Sequence, residues 1–145
     1  MKTFILSAPF FVFSVAEASQ QVQLQCQLLE DITVAQFNAS ALLTIADDKT
    51  VTGQVVFATL NRVDEDHLVT HDPIQVHGNL ETFPAGSMYV DATDSYQLFS
   101  ADQPGVALQL NTGNEDHFSS RLVINGESTY VSNCQYFIAP PPSLR

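Results

Sequence analysis

The stretch QVQLQCQL at residues 21–28 decides the fold class of this chain. Apolar and polar side chains alternate in it without a break: Val22, Leu24, Cys26 and Leu28 fall on one side, and glutamines fall on the other. Successive side chains of a β-strand point to opposite faces, so this alternation predicts a strand with one buried face. Cys26 belongs to the predicted buried face.

Further strand-like runs follow along the chain. They lie at 40–46, 51–60, 67–77, 87–99, 105–111, 117–124 and 128–138. Short runs between turn-forming residues are typical of all-β folds. Residues 30–43 could instead carry a short helix, although their β-branched side chains disfavour one. The sequence therefore predicts an all-β fold, either one antiparallel β-sandwich or a small closed β-barrel of about eight strands.

The N-terminus has the pattern of an export signal. Met1 and Lys2 precede the apolar run 3–15, which is followed by Ala-Glu-Ala at 16–18. A positive start, a short apolar run and small residues at a cleavage site are typical of a secretory signal peptide. A transmembrane anchor would need roughly 20 apolar residues, and this run is shorter and contains Pro9. We expect residues 1–18 to be cleaved and the protein to be secreted or periplasmic.

The rest of the chain divides into a domain and a tail. Residues 19–138 are predicted to form a single all-β domain. Residues 139–145, APPPSLR, cannot join a sheet because three consecutive prolines lack the backbone N–H that a ladder needs. They are expected to form a disordered Pro-rich C-terminal tail, with a docking motif as the alternative.

The chain has 2 cysteines, Cys26 near the start of the predicted domain and Cys134 near its end. An exported chain usually enters an oxidising compartment, so one disulfide between them is expected. A redox-active pair would favour a C-x-x-C arrangement, which is absent from the sequence. The disulfide predicts that the first and last strands are neighbours, which favours closure of the sheet.

The turn in the last hairpin determines which way Cys134 faces. A two-residue turn at Asn125-Gly126 would set Ile124 opposite the next residue and turn Cys134 away from Leu122. A three-residue loop ending in Gly126, with the glycine in a left-handed bulge position, shifts the pairing by one. Cys134 then shares a face with Phe118, Leu122 and Tyr130. Because Cys26 is on an apolar face, the bulged loop is the prediction.

The charge of the chain is strongly negative. It has 5 basic and 16 acidic residues, and Lys2 and Glu17 lie in the leader, which leaves four and fifteen. Nucleic acids and anionic membrane surfaces attract basic patches, so neither is an expected partner. A protein with a basic patch or a divalent metal ion fits the charge. The alternative is that the acidity only keeps an exported protein soluble.

One acidic pattern occurs twice. LNRVDEDHL at 60–68 returns as LNTGNEDHF at 110–118. Duplication of a hairpin or chance resemblance would both explain the pair. Carboxylates and imidazoles are metal ligands, so Asp66, His67, Asp116 and His117 are the candidate metal ligands. The common calcium and zinc signatures are missing, and solvated acidic turns are the alternative.

The sequence has no nucleophile elbow, no Gly-rich phosphate loop and, once the disulfide forms, no cysteine nucleophile. Neither an enzyme nor a cofactor is expected, apart from the metal alternative. The favoured interpretation is an exported non-catalytic domain that binds a protein, such as one with a basic patch, or another ligand through acidic loops 61–67 and 111–117. Asp64, Glu65 and Glu115 are the predicted contacts, and the two loops are expected at the same end of the domain.

A small outer-membrane β-barrel is a further alternative. Such a barrel presents apolar side chains to lipid and polar ones to its lumen. The glutamine side of residues 21–27 would then have to face the lumen.

Overall fold

The computed structural model describes residues 19–29, 34–61, 67–84, 86, 93–112 and 119–139. The regular elements in these ranges are β-strands, which confirms the all-β prediction. They are β1 (Gln20–Gln27), β2 (Gln36–Ile45), β3 (Thr50–Leu60), β4 (Leu68–Thr70), β5 (Ile74–Phe83), β6 (Thr93–Ser100), β7 (Val106–Asn111), β8 (Ser120–Ile124) and β9 (Ser128–Ile138). Within the described ranges, no helix is long and apolar enough to cross a bilayer.

Eight of these strands close into an antiparallel barrel. Around the wall the order is β1, β2, β3, β5, β6, β7, β8 and β9, each antiparallel to the next. Strand β9 then pairs with β1, from Gln23 to Gln27. Closure satisfies the strand edges that an open sheet would expose. The structure therefore shows a barrel and not a sandwich, and the terminal strands are neighbours, as predicted.

Strand β4 is an addition to the closed ring. Strand β3 pairs with β5 as far as Val55 and with β4 from Ala58 onward. Residues 71–73 interrupt the return strand between β4 and β5. The single strand predicted over 67–77 is therefore wrong. The short strand β4 forms a hairpin with the last residues of β3.

The inner face of the barrel is apolar over most of its length. Val22, Leu24 and Cys26 of β1 are at most 3% exposed, whereas the glutamines between them face outward. Every other residue of a strand lies on the same face, so the alternation in the sequence becomes an inside and an outside. The other fully buried apolar side chains are Phe37, Ala41, Leu43, Ile45, Val51, Val55, Ile74, Tyr96, Leu98, Leu110, Leu122 and Cys134.

The predicted disulfide joins the two terminal strands. Cys26 and Cys134 lie directly opposite each other in the β1–β9 ladder and are bonded on the inner face. The bond spans 108 residues, for which the chain-entropy model gives a stabilisation of about 4 to 5 kcal/mol. A disulfide is consistent with an oxidising extracellular or periplasmic environment.

The last hairpin has a three-residue loop, one position later than predicted. Ile124 pairs with Ser128, so the loop comprises residues 125–127 and does not end at Gly126. Asn125 and Gly126 have φ values of 55° and 70°, as in a two-residue turn, and the next residue is the extra one. The residues of β8 and β9 that share a face are nevertheless the predicted ones. Leu122 pairs with Tyr130, and Cys134 lies on the same inner face. Phe118 lies outside the described residues.

Other expectations have mixed outcomes. Strand β2 occupies residues 36–45, so the helix alternative over 30–43 is wrong for 36–43, and residues 30–33 lie outside the described ranges. The predicted signal peptide 1–18 also lies outside them. Of the predicted tail 139–145, only residue 139 is described, and it has no regular structure. The signal peptide and the disordered tail therefore stay predictions.

Candidate functional site

The first acidic loop, residues 61–67, belongs to the β3–β4 hairpin. Leu60 and Leu68 pair directly at its base. Of the predicted contacts and ligands, Asp64, Glu65 and Asp66 lie outside the described residues, and His67 is exposed. The loop therefore connects β3 to β4 at the end of the barrel where β3 ends.

The second acidic loop, residues 111–117, begins at the last residue of β7. Glu115, Asp116 and His117 lie outside the described residues. Strands β3, β5, β6 and β7 alternate in direction along the wall, so β7 runs opposite to β3. The two loops begin at opposite ends of the barrel, and the expectation of a common end is wrong. A metal site shared by the two turns has no support, while a site in either turn alone stays a prediction.

His67 of the first repeat and the nearby His71 have different surroundings. His71 stacks on Phe57, with ring centroids 4.7 Å apart, and its Nε2 lies 2.8 Å from Thr59 Oγ1. These contacts hold His71 against the end of β3, while His67 is exposed to solvent. In the described part of the chain, no three His, Cys, Asp or Glu side chains form a group that could hold a metal ion.

A polar cluster inside the barrel was not predicted. Tyr136 OH donates to Asp94 Oδ2 at 2.7 Å, and Thr82 Oγ1 donates to Asp94 Oδ1 at 3.0 Å. The hydroxyls of Tyr96 and Tyr136 are hydrogen-bonded to each other. Asp94 is only 3% exposed, so these bonds compensate for the solvation that its carboxyl group loses. In the sequence, the cluster is indicated only by the alternation of Asp94, Tyr96 and Leu98, which puts a carboxyl group on an apolar face.

Burial keeps the Tyr136 hydroxyl protonated. It raises the pKa of Tyr136 far above the usual range, because the phenolate would lose its hydration inside the barrel. The neighbouring Tyr96 and Asp94 act in the same direction. Tyr136 is therefore a hydrogen-bond donor to Asp94 in the folded protein.

Side chains fill the barrel interior. Tyr96, Phe37 and Leu24, which are among the largest, are fully buried. A barrel of eight strands has an interior just wide enough for its own side chains. Three hollows among the described residues are bordered mostly by outward-facing side chains. In this part of the chain the surfaces available for binding are on the outside.

The largest of these hollows is a groove of about 650 Å³ across β1, β2, β3 and β4. Its outward-facing side chains are Gln25, Gln27, Asn38, Ser40, Val56, Ala58, Leu68 and Thr70. We call it the neutral groove, because none of these side chains is charged. Ser40 Oγ accepts a hydrogen bond from Gln25 Nε2 at 3.2 Å, which orients one amide along the groove. Amides, hydroxyls and apolar groups together suit a neutral segment that can form hydrogen bonds.

No protein-family model matches the chain, and neither a curated protein nor a solved structure matches it.

The neutral groove is part of a larger uncharged surface. Strands β9, β1, β2 and β3 are consecutive in the wall, and their sequences contain no Asp, Glu, Lys, Arg or His. Half of the barrel wall is thus uncharged in a chain with a formal charge of −11. The charge lies in the connections and on the other half. Several large apolar side chains are exposed on the uncharged half, including Leu42, Val56 and Phe137.

The orientation of β1 bears on the membrane-barrel alternative. That alternative requires the glutamines of residues 21–27 to face the lumen. In the structure Val22, Leu24 and Cys26 face the interior, and the glutamines face outward. This is the opposite of the arrangement that a lipid-embedded barrel requires.

Proposed function

We propose that this chain is an exported, non-catalytic binding domain whose partner is a protein with a basic patch. The first acidic loop, residues 61–67, and the neutral groove at its base form the main contact. Asp64 and Glu65 attract the basic groups of the partner, and the groove holds a neutral stretch next to them. Glu115, in the second acidic loop, contacts a separate region, because that loop begins at the other end of the barrel.

The observation that carries the proposal is the position of the neutral groove. Leu68 and Thr70 of β4 border it, and the chain enters β4 directly from the acidic loop. An acidic loop that leads into an uncharged groove would give the binding surface two parts with different roles. Charge steers the partner toward the site and raises the association rate, while the desolvated contact sets the dissociation rate.

The closed interior supports binding from outside the barrel. Small-molecule sites are usually concave and bury most of their ligand. The described interior is occupied by its own side chains, so a partner reaches this domain through loops and outer strand faces. The disulfide supports the export part of the proposal, because such bonds persist in oxidising compartments.

A pair of synthetic peptides tests the proposal. One alternates lysine with threonine, the other alternates glutamate with threonine, and both carry a fluorescent label. Fluorescence anisotropy with the oxidised mature protein should show saturable binding of the lysine peptide alone, weakening as salt rises above about 0.15 M. Replacing Ser40 by Tyr fills the groove and should weaken binding at every salt concentration. The variant D64N/E65Q/D66N should weaken binding and flatten its salt dependence.

The matched control is the variant D47N/E81Q/D102N. It removes the same formal charge from exposed positions outside the groove. Equal losses in the two triple variants would show that only the overall charge attracts the peptide. Unchanged binding by the Ser40→Tyr variant would show that the neutral groove is not the contact surface.

A further inference from the structure

Arg121 lies on the outer face of β8 and has no counterion among the described residues. It is exposed, and its direct cross-strand neighbours are Gln109 and Val131. No described carboxylate forms an ion pair with it. Fifteen carboxylates and four basic residues remain once the predicted leader is removed. An unpaired guanidinium in so acidic a chain is available to an external anion.

Two side-chain amides extend the row that begins at Arg121. Gln97 of β6, Gln109 of β7 and Arg121 of β8 are paired in register, so their Cβ atoms are about 5 Å apart at each step. Both glutamines donate Nε2 hydrogen bonds to Ser95 Oγ, at 3.1 Å and 3.5 Å. Ser95 is fully buried and therefore fixed, so it orients both amides. Each amide keeps its carbonyl oxygen and a second N–H for a ligand.

An apolar row lies beside the polar one. Phe99, Ala107 and Val123 are neighbours in register on the same three strands. Phe99 is 51% exposed. The two rows line a hollow of about 260 Å³. This face presents charged donors, amides that donate and accept, and an aromatic ring within one surface.

The backbone here limits the kind of ligand. Strands β6, β7 and β8 each have a neighbour on both sides, so their N–H and C=O groups bond within the sheet. A peptide that adds a strand needs a free edge, and a peptide terminus is usually held by free backbone N–H groups. Recognition on this face must use side chains alone. A ligand with neighbouring hydroxyl groups on a ring suits this face. Its hydroxyls can donate to and accept from the two amides, and an apolar side of the ring can pack against Phe99.

We propose that Arg121, Gln97 and Gln109 bind a carboxylate-bearing saccharide on the outer face of β6 to β8. Arg121 takes the carboxylate in a two-bond ion pair, the glutamines take ring hydroxyls, and Phe99 packs against the C–H face of a sugar ring. The site is centred on β7, opposite β2 in the ring of eight strands, so it is separate from the neutral groove. It does not depend on the function proposed above. At about 0.15 M salt, charges more than about 8 Å away are largely screened, which limits repulsion by the other carboxylates.

A charged trisaccharide of galacturonic acid is the test ligand. Its methyl ester has the same rings and hydroxyls without charge, and propane tricarboxylate has the charge without sugar. Titration of ¹⁵N-labelled protein should shift the side-chain signals of Gln97, Gln109 and Arg121 with the charged trisaccharide. The ester and the tricarboxylate should bind roughly 10- to 100-fold more weakly, because each lacks one half of the recognition.

Variants locate the site. R121Q should weaken binding of the charged trisaccharide roughly 10- to 100-fold, and R121K should restore part of it, because lysine keeps the charge but not the forked geometry. Replacing Lys49 by Gln changes the net charge equally at the β2–β3 turn and should leave binding unchanged. Dispersed amide signals confirm that each variant is folded.

Three results would overturn the proposal. If the methyl ester bound as tightly as the charged trisaccharide, Arg121 would not recognise the carboxylate. If the tricarboxylate bound as tightly as the charged trisaccharide, the face would be a simple anion site. Absence of shifts at Gln97 and Gln109 at millimolar trisaccharide would show that no saccharide binds on this face.

Discussion

The barrel interior has two regions that lie on the same inner face and are stabilised by different interactions. One is apolar and includes Leu24, Leu122 and the disulfide, all at most 3% exposed. The other contains the carboxyl group of Asp94 with the hydroxyls of Tyr136 and Thr82. Each apolar side chain gains from the area removed from water, whatever its exact neighbour. The polar region gains only when each named partner is present.

The difference predicts unequal responses to substitution. In the apolar region the loss in the free energy of unfolding depends on the side-chain volume removed and on whether the disulfide is removed. In the polar region it follows the number of buried polar atoms left without a partner, which costs about 1 to 3 kcal/mol for each neutral group. Alternation in a sequence marks the inner face, but it does not separate these two regions.

Removing the disulfide should have the largest effect. In the double variant C26A/C134A the unfolded chain regains the freedom that the bond withholds across 108 residues. The chain-entropy model then predicts a loss of about 4 to 5 kcal/mol in the free energy of unfolding. Urea unfolding followed by circular dichroism measures it, and the wild type in reducing agent is the control. A loss below about 1 kcal/mol would show that β1 and β9 close the barrel without the covalent bond.

The first and last strands were the most predictable part of the fold. Strand β9 occupies the predicted residues 128–138, and β1 differs from its predicted bounds by one residue at each end. Both follow from alternation, and the inward direction of Cys134 follows from the parity of the last hairpin. The one-residue error in the loop did not change the predicted direction of Cys134, because in the true register the same residues share the inner face. The interruption at 71–73 was missed, although Asp72-Pro73 is a pair that favours a turn.

The candidate site was only partly predictable. Acidic segments are visible from composition, so loop 61–67 could be found without a structure. The neutral groove could not, because Gln25, Ser40 and Val56 are far apart in sequence and meet only through the β1–β2–β3 register. Likewise, the uncharged cross-strand neighbours of Arg121, Gln109 and Val131, follow only from the register of two ladders. The similarity of the two acidic repeats was misleading, because strand direction puts their starting points at opposite ends.

A matched pair of leucine substitutions tests the inside and outside of the wall. Leu24 is fully buried, while Leu42, on the adjacent strand β2, faces outward and is 49% exposed. Leu24→Ala should cost about 2 to 5 kcal/mol through lost contacts and a cavity. Leu42→Ala should stay within about 0.5 kcal/mol of the wild type. Chemical denaturation measures both, and equal costs would contradict the assignment of the two faces.

Removing one hydroxyl from the polar region should have a smaller effect at neutral pH than removing the disulfide. Tyr136→Phe keeps the ring and deprives Asp94 Oδ2 of its donor. The expected loss is about 1 to 3 kcal/mol in the free energy of unfolding at pH 7. Thermal and urea unfolding measure it. A neutral result would show that Asp94 is satisfied by its other partners.

The pH dependence of the same variant separates the hydroxyl from the packing. The pKa of Tyr136 is raised in the folded protein, so above about pH 10 the unfolded chain loses a proton that the folded chain keeps. The stability from this group is therefore complete below pH 10 and falls by about 1.4 kcal/mol per pH unit above it. Tyr136→Phe should show a shallower alkaline decline than the wild type. Tyr130→Phe, outside the polar cluster, is the control, and an equal change in that variant would mean that the decline does not come from the Asp94 cluster.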